Sequence, residues 1–187
     1  MNIFVTNECP VKSALALDDK RLVKMVLETA QLLSSAVNLS YGDKIAPYKT
    51  AHKGHPCTLW AKQSQGNFQW LLDHGYALGM EYTQRYQKTH KSMLVIAEID
   101  DSDLIKYIPK GPRIPFANCA ANASINVSYK HLPDTIDAYK QYLAVRWTND
   151  KRHPTWTNSR PPFWISYSQK AQEFYLTPET VAVYNER

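Results

Sequence analysis

The amino-acid sequence predicts a mainly α protein, with a single compact helical domain and an irregular C-terminal segment rich in proline and aromatic residues. Two observations lead to this prediction. Apolar residues recur at helical spacing in several long stretches, whereas no series of alternating apolar and polar residues indicates strands. Clusters of proline and glycine mark the loops between these helical stretches. A chain of 187 residues, 44% of them hydrophobic, is long enough to bury one core.

The first long helix is predicted to begin at Asp18 or Asp19 and to end near Val37. An aspartate suits a first turn because its charge faces the positive end of the helix dipole. At about 100° per residue, one arc of this helix is apolar and the opposite arc is polar. The apolar arc holds Leu22, Val23, Val26, Leu27, Ala30 and Leu33, and the polar arc holds Lys20, Arg21, Lys24, Glu28 and Gln31.

Glycine and proline positions, together with the helical spacing of apolar residues, predict the other helices and loops. Residues 40–56 contain two glycines and two prolines and are predicted to be a loop, with Pro56 opening the next helix. Further helices are expected over 57–65, 67–86, 88–99 and 134–147, a loop over 108–124, and a weak final helix over 168–176. We expect residues 1–156 to form the helical domain and residues 157–187 an extension packed on it.

The charge distribution favours a polyanionic partner. The net charge is +5, and residues 110–170 contain nine Lys or Arg against three Asp. The chain also has five Trp and twelve Tyr, rings that serve both packing and base stacking. A basic, aromatic-rich region is typical of nucleic-acid binding, although many proteins share this composition.

The cysteines and histidines indicate neither a disulfide framework nor a metal site. Cys9, Cys57 and Cys119 are odd in number and widely spaced, which favours free thiols in a reducing compartment. His52 and His55 lie three residues apart, but neither Cys57 nor His74 completes a recognised ligand pattern. We therefore predict no metal and no cofactor, and interpret His55 as a helix-entry or substrate-contacting residue.

The sequence shows no signal peptide and no apolar run long enough to span a membrane. We expect a cytoplasmic protein (host cytoplasm if the chain is phage-encoded) that is monomeric and has no membrane partner.

Motifs for nucleotide triphosphate hydrolysis, Rossmann redox chemistry and the common hydrolases do not occur.

Glu28 allows two interpretations. Lys24 precedes it by four residues and Arg21 by seven, so all three project from one side of the helix. The first interpretation is a solvated face with weak ion pairs. The second is a site in which the cations hold phosphates while the acid acts on the sugar or base between them.

Two other stretches also have two interpretations. Glu81 and Arg85 are spaced by four residues, as in a helix-stabilising surface pair or an ion pair in the interior or a cleft. Residues 151–164, KRHPTWTNSRPPFW, alternate cations with aromatic rings. They form either a loop that stacks on bases and touches phosphates, or a proline-rich strap fixed to the core by its tryptophans.

Three stretches occurring in order resemble a known family. They are DKRLVKMVLE (19–28), the block from GHP to EYTQRY (54–86), and RHPTW (152–156). The chain is similar to the phage pyrimidine-dimer DNA glycosylase/AP lyases, small all-helical repair enzymes, and would be an enlarged member. In that family a basic position is followed seven residues later by an essential glutamate, and Arg21 and Glu28 match these two positions.

The resemblance implies a mechanism and a set of contacts. The N-terminal α-amine attacks the sugar C1′, and the glutamate assists there. Asn2 replaces a family arginine and disfavours removal of the initiator methionine, so the amine would be that of Met1. Catalytic roles are thus expected for Met1, Glu28 and Arg21. Contacts with damaged or modified duplex DNA are expected for Lys20, Lys24, His55, Arg85, Lys151, Arg152, Trp156 and Arg160.

Two alternatives to a DNA glycosylase, with or without AP-lyase activity, stay open. One is a non-catalytic nucleic-acid-binding protein on the same scaffold, whose DNA binding would survive loss of the Glu28 carboxylate. The other is a glycosidic-bond enzyme acting on nucleotides or hypermodified bases, which would need no duplex.

Overall fold

Six α-helices make up about half of residues 2–177, the part of the chain that the computed structural model describes. They are α1 (Pro10–Leu15), α2 (Asp19–Tyr41), α3 (Pro56–Ala61), α4 (Gln65–Tyr86), α5 (Ser92–Asp101) and α6 (Thr135–Asn149). Two antiparallel hairpins pair β1 (Ala121–Asn122) with β2 (Val127–Ser128), and β3 (Ile165–Ser168) with β4 (Glu173–Leu176). The predicted mainly α class is confirmed. None of the helices within residues 2–177 is long and apolar enough to cross a membrane.

Helices α2 and α4 form the centre of the packing, because they contact each other and both contact α3 and α5. Helix α2 begins at Asp19, as predicted, and continues past Val37 to Tyr41. Its buried face differs from the predicted arc: Val23 and Leu27 are 40% and 39% exposed. The face is rotated because Arg21 and Glu28, which pattern alone assigns to solvent, are buried against partners distant in sequence.

A glycine permits the close approach of α2, α4 and α5. A Cβ on Gly75 of α4 would lie 2.9 Å from Cγ2 of Thr29 on α2 and 3.0 Å from Cδ1 of Ile96 on α5. Real Cβ atoms hardly ever approach other atoms so closely, so any larger residue would push the helices apart. Glycine at this position therefore sets the distance between three helices of the core.

The predicted helix over 168–176 is wrong, because β3 and β4 occupy this region. Strand β4 alternates in burial, with Phe174 inside and its neighbours Glu173 and Tyr175 exposed. This period of two is that of a strand. Phe174 lies against Trp147 of α6, with ring centroids 5.9 Å apart, and its N–H donates to the Thr148 hydroxyl at 2.9 Å. Residues 178–187 of the expected extension lie outside the described residues.

Residues 154–159, here called the strap, fasten the C-terminal region to the start of α2. The hydroxyls of Thr155 and Thr157 each donate to Oδ2 of Asp19 at 2.7 Å. The indole N–H of Trp156 donates to the carbonyl of Ala16 at 3.2 Å, and its ring packs edge-on against buried Trp147. The strap interpretation therefore accounts for Trp156, whose ring and N–H are both used within the fold.

Glu81 and Arg85 form an interior ion pair. The Arg85 Nε donates to Oε1 of Glu81 at 2.7 Å, and its Nη1 donates to Oδ1 of Asp19 and to the carbonyl of Leu17, both at 2.9 Å. The side chain of Arg85 is fully buried. The expectation that Arg85 contacts nucleic acid is corrected, since its guanidinium joins α4 to the start of α2 inside the protein.

Replacing Arg85 tests this structural role. We expect Arg85→Ala to lower the free energy of unfolding by about 3–5 kcal/mol, because it leaves Glu81 as a buried charge without its partner. Urea unfolding followed by circular dichroism measures the change. The exposed Arg152 supplies the control, and Arg152→Ala should change the value by less than about 0.5 kcal/mol. Equal, small effects of both variants would contradict the interior role.

His74 is a buried histidine of α4 that favours its neutral form. It is fully buried, its Nδ1 lies 3.0 Å from the carbonyl oxygen of Pro10, and its ring stacks on Trp70. Burial lowers the pKa of His74 from 6.5 to about 4, because the charged imidazolium would lose its hydration. The ring therefore serves as a neutral link between α4 and α1.

The pKa of His74 makes stability depend on pH. Between pH 6.5 and about 4 the unfolded chain binds the proton and the folded chain does not. Acidification through this range should therefore lower the free energy of unfolding, by about 3 kcal/mol in total. Urea unfolding at several pH values tests this. His74→Gln should flatten the dependence, and the exposed control His131→Gln should not. An unchanged slope in His74→Gln would contradict the assignment.

Candidate active site

A cavity of about 260 Å³ opens beside Glu28, between the N-terminal segment, α2, β1 and α6. Three cations of α2 and one of α6 line the cavity, together with polar and aromatic groups. The residues that line the cavity are Asn2, Phe4, Lys20, Arg21, Lys24, Met25, Glu28, Ala121, Asn122, Tyr142 and Arg146. The cavity thus combines one buried acid with several cations.

Glu28 is buried in this cavity, with only 7% of the residue exposed. The Lys24 Nζ lies 3.1 Å from its Oε1, and the backbone N–H of Asn2 donates to its Oε2 at 2.9 Å. The interpretation of Glu28 as part of a solvated face is therefore wrong. The carboxylate is held in a fixed position at the point where the beginning of the chain meets α2.

Asn2 fixes the N-terminal segment at the cavity. Its Oδ1 accepts hydrogen bonds from the hydroxyl of Tyr139 at 2.6 Å and from the N–H groups of Ile3 and Phe4 at 2.8 and 3.2 Å. Phe4 has a φ of 54°, which is uncommon for a residue with a side chain. Its ring stacks on Tyr142, with centroids 6.1 Å apart. Met1, the expected nucleophile, lies outside the described residues.

Arg21 lines the cavity but is paired with two carboxylates. Its Nη1 donates to Oδ1 of Asp18 at 2.8 Å, and its Nη2 donates to Oδ2 of Asp150 at 2.9 Å. Burial alone would lower the pKa of Arg21, but the negative charges of both aspartates raise it above its usual value. The indole of Trp147 also donates to Asp18 at 2.8 Å. Arg21 therefore joins α2 to the end of α6.

Asp150 also forms ion pairs with two other cations. Lys20 Nζ lies 3.0 Å and Arg146 Nη2 3.6 Å from its Oδ1. Burial would raise the pKa of Asp150, but the nearby charges of Arg21 and Lys20 hold it below its usual value. The carboxylate thus stays ionised and keeps these cations along one wall of the cavity.

The other predicted contact residues are divided among several surfaces. Lys20 and Lys24 lie at the rim of the cavity with their side chains 65% and 70% exposed. Lys151 and Arg152 are exposed and, with Lys20, line an adjoining groove of about 670 Å³. Arg160 lines a separate cavity of about 740 Å³ beside Phe163 and is not brought to Glu28.

His55 lies half-buried before α3. Its Nδ1 accepts a hydrogen bond from the N–H of Cys57 at 3.2 Å, so the expected helix-entry role is observed. Burial is the main cause that lowers the pKa of His55, and the negative charge of Glu28 acts in the opposite direction.

Several cavity residues are not found from the sequence pattern. The sequence marks Asn2 as a departure from the family and as a residue that disfavours removal of Met1, but not as a hydrogen-bond partner of Glu28. Tyr142 and Arg146 lie four residues apart on α6 and share one face. That face lines the cavity because α6 lies beside the start of α2. The sequence of one helix does not show which other helix it lies beside.

Comparison with known proteins identifies one family. A family model described as pyrimidine dimer DNA glycosylase matches residues 1–94, half of the chain. No curated protein and no solved structure matches. The matched range includes Asn2, Arg21, Lys24 and Glu28, whereas the α6 wall of the cavity lies beyond it. The chain belongs to the pyrimidine dimer DNA glycosylase family.

Proposed function

We propose that the protein is a DNA glycosylase that cleaves the N-glycosidic bond of a damaged or modified pyrimidine, followed by strand cleavage at the abasic site. One observation supports this above all others. The buried carboxylate of Glu28 lies in a cation-lined cavity and accepts a hydrogen bond from the first peptide N–H of the chain, that of Asn2. An acid and the chain terminus are the two groups that this chemistry requires.

Glu28 would stabilise positive charge on the sugar. As the bond between C1′ and the base lengthens, positive charge develops on the ring, and a carboxylate in a partly desolvated site attracts it strongly. The hydrogen bond from Asn2 and the ion pair with Lys24 hold the carboxylate in place beforehand. This fixed orientation avoids a reorganisation cost during the reaction.

The α-amine of Met1 would be the nucleophile. In its neutral form it attacks C1′, so that a C–N bond forms while the glycosidic bond breaks. The base leaves with the bonding electron pair and takes up a proton, and the amine loses one. The sugar ring opens as O4′ takes up a proton, which gives a Schiff base. Loss of a C2′ proton to water then expels the 3′ phosphate with its bonding electron pair and cleaves the strand. A terminal amine with a pKa near 8 is partly neutral at physiological pH.

Exposed cations would bind the phosphates on both sides of the reacting nucleotide. Lys20 and Lys24 border the cavity, and Lys151 and Arg152 continue the positive surface along the adjoining groove. Since a base inside a duplex cannot reach such a cavity, the damaged nucleotide would have to be flipped out of the helix. Duplex DNA is therefore the proposed partner.

Glu28→Gln tests the catalytic role. We expect base release to fall by about 100-fold or more, since the amide keeps the shape but loses the charge. Duplexes carrying a cyclobutane pyrimidine dimer, a modified pyrimidine or an abasic site are the substrates, with borohydride trapping of the Schiff base. Affinity for the same duplex should change little.

The exposed acid Glu98 supplies the matched control, and Glu98→Gln should react like the wild type. Base release by Glu28→Gln at the wild-type rate would contradict the proposed role. Duplex binding by the wild type with neither base release nor a trapped adduct would favour the non-catalytic alternative. Activity on free nucleotides but not on duplexes would favour the nucleotide-acting one.

Lys24→Met tests the phosphate contacts. We expect weaker duplex binding and a slope of log affinity against log salt smaller by about 1, because one counterion-releasing contact is lost. Fluorescence anisotropy over a range of salt concentrations measures the slope. Lys106→Met is the control, since Lys106 is also exposed but lies beside Asp103, outside the cavity. Equal slopes for Lys24→Met and the wild type would contradict a phosphate contact at Lys24.

A further inference from the structure

Three metal-binding side chains converge next to the candidate active site. One ligand atom each of His55, Cys57 and Cys119 lies within 4.8 Å of the others. His55 and Cys57 come from the first turn of α3, whereas Cys119 comes from a loop 62 residues later in the chain. Spacing in the sequence could not show this cluster, which is why no metal site was expected.

The distance between the two sulfur atoms suits a shared ion. Cys57 Sγ and Cys119 Sγ are 3.7 Å apart. Two thiolates bound tetrahedrally to zinc at about 2.3 Å have sulfur atoms about 3.8 Å apart. The two side chains could therefore bind one zinc ion without movement of the backbone. A disulfide, in contrast, needs the sulfur atoms at about 2.05 Å.

The types of ligand narrow the choice of ion. Two thiolates and one imidazole favour zinc and other thiophilic ions over the calcium and magnesium ions that prefer oxygen. The His55 Nδ1 accepts one hydrogen bond, from the N–H of Cys57. Coordination through Nδ1 would replace that bond, and first-turn N–H groups of a helix commonly lack an intrahelical partner. Three protein ligands leave the fourth position to water or another group.

We propose that His55, Cys57 and Cys119 bind a single thiophilic divalent ion, with zinc as the preferred ion. Binding of this ion does not depend on the proposed glycosylase activity. It would join the start of α3 to the loop at Cys119 and so fix that loop in the fold.

The cluster is connected to Glu28 by a chain of hydrogen bonds. The N–H of Cys119 donates to the Tyr139 hydroxyl at 3.2 Å, and that hydroxyl donates to Oδ1 of Asn2 at 2.6 Å. The N–H of Asn2 in turn donates to Glu28 at 2.9 Å. A bound ion would therefore stabilise the position of the N-terminal segment, and His55, Cys57 and Cys119 would act as positioning residues for the cavity.

Metal titration of the reduced full-length protein tests the site. After treatment with a chelator, Co²⁺ should bind at one ion per chain, with thiolate-to-cobalt charge-transfer absorption and the visible bands of tetrahedral coordination, and Zn²⁺ should displace it. Cys57→Ser, Cys119→Ser and His55→Ala should each weaken binding at least about tenfold. Cys9→Ser is the matched control, because Cys9 is the remaining free thiol and is not part of the cluster.

Thiol labelling of the wild type keeps the test decisive if a variant fails to fold. Zinc should protect the partly exposed Cys119 from a disulfide reagent and leave the reactivity of Cys9 unchanged. The proposal is overturned if the reduced protein binds cobalt without charge-transfer absorption, or if zinc protects none of the thiols. It is also overturned if Cys57 and Cys119 form a disulfide in air while the reduced protein takes up no metal. None of these results would bear on the Glu28 experiment, so the two proposals fail separately.

Discussion

The structure depends on the buried ion pairs that join the start of α2 to the end of α6. Arg21 lies between Asp18 and Asp150, and the Trp147 indole donates to Asp18. Burying a guanidinium is costly unless carboxylates pair with it closely, so the loss of either aspartate would destabilise this arrangement. The strap and the hairpin of β3 and β4 pack on the same end of α6 and surround this network.

This constraint also places the cavity. Glu28 follows Arg21 by seven residues, nearly two turns and about 10 Å along the helix. Once Arg21 is fixed against Asp150, Glu28 must face the same side of the protein, where Tyr142 and Arg146 of α6 and Asn2 of the N-terminal segment meet it. The polar face of α2 therefore has two roles. Through Arg21 it joins α2 to α6, and through Glu28 it places an acid in the cavity.

Helical periodicity and capping residues were enough to predict most helices. Asp134 caps α6 by accepting from the N–H groups of Ile136 and Asp137, and Pro56 opens α3. The polar arc of α2 correctly singled out Arg21 and Glu28 as neighbours. Their burial could not be predicted, because Asp150 lies 129 residues from Arg21 and a helical pattern does not reveal such partners. The final hairpin was missed because four-residue strands are too short to distinguish from helical turns.

A crystal structure of the Glu28→Gln variant bound to a duplex that carries a cyclobutane pyrimidine dimer would show whether the cavity beside residue 28 receives the damaged nucleotide. We expect that the damaged nucleotide leaves the stack and that its sugar occupies the cavity between Asn2, residue 28 and Tyr142. The distance from C1′ to the side chain at position 28 should be about 3–4 Å, as in a near-attack arrangement. A duplex bound to another surface, with every sugar out of reach of residue 28, would contradict this expectation.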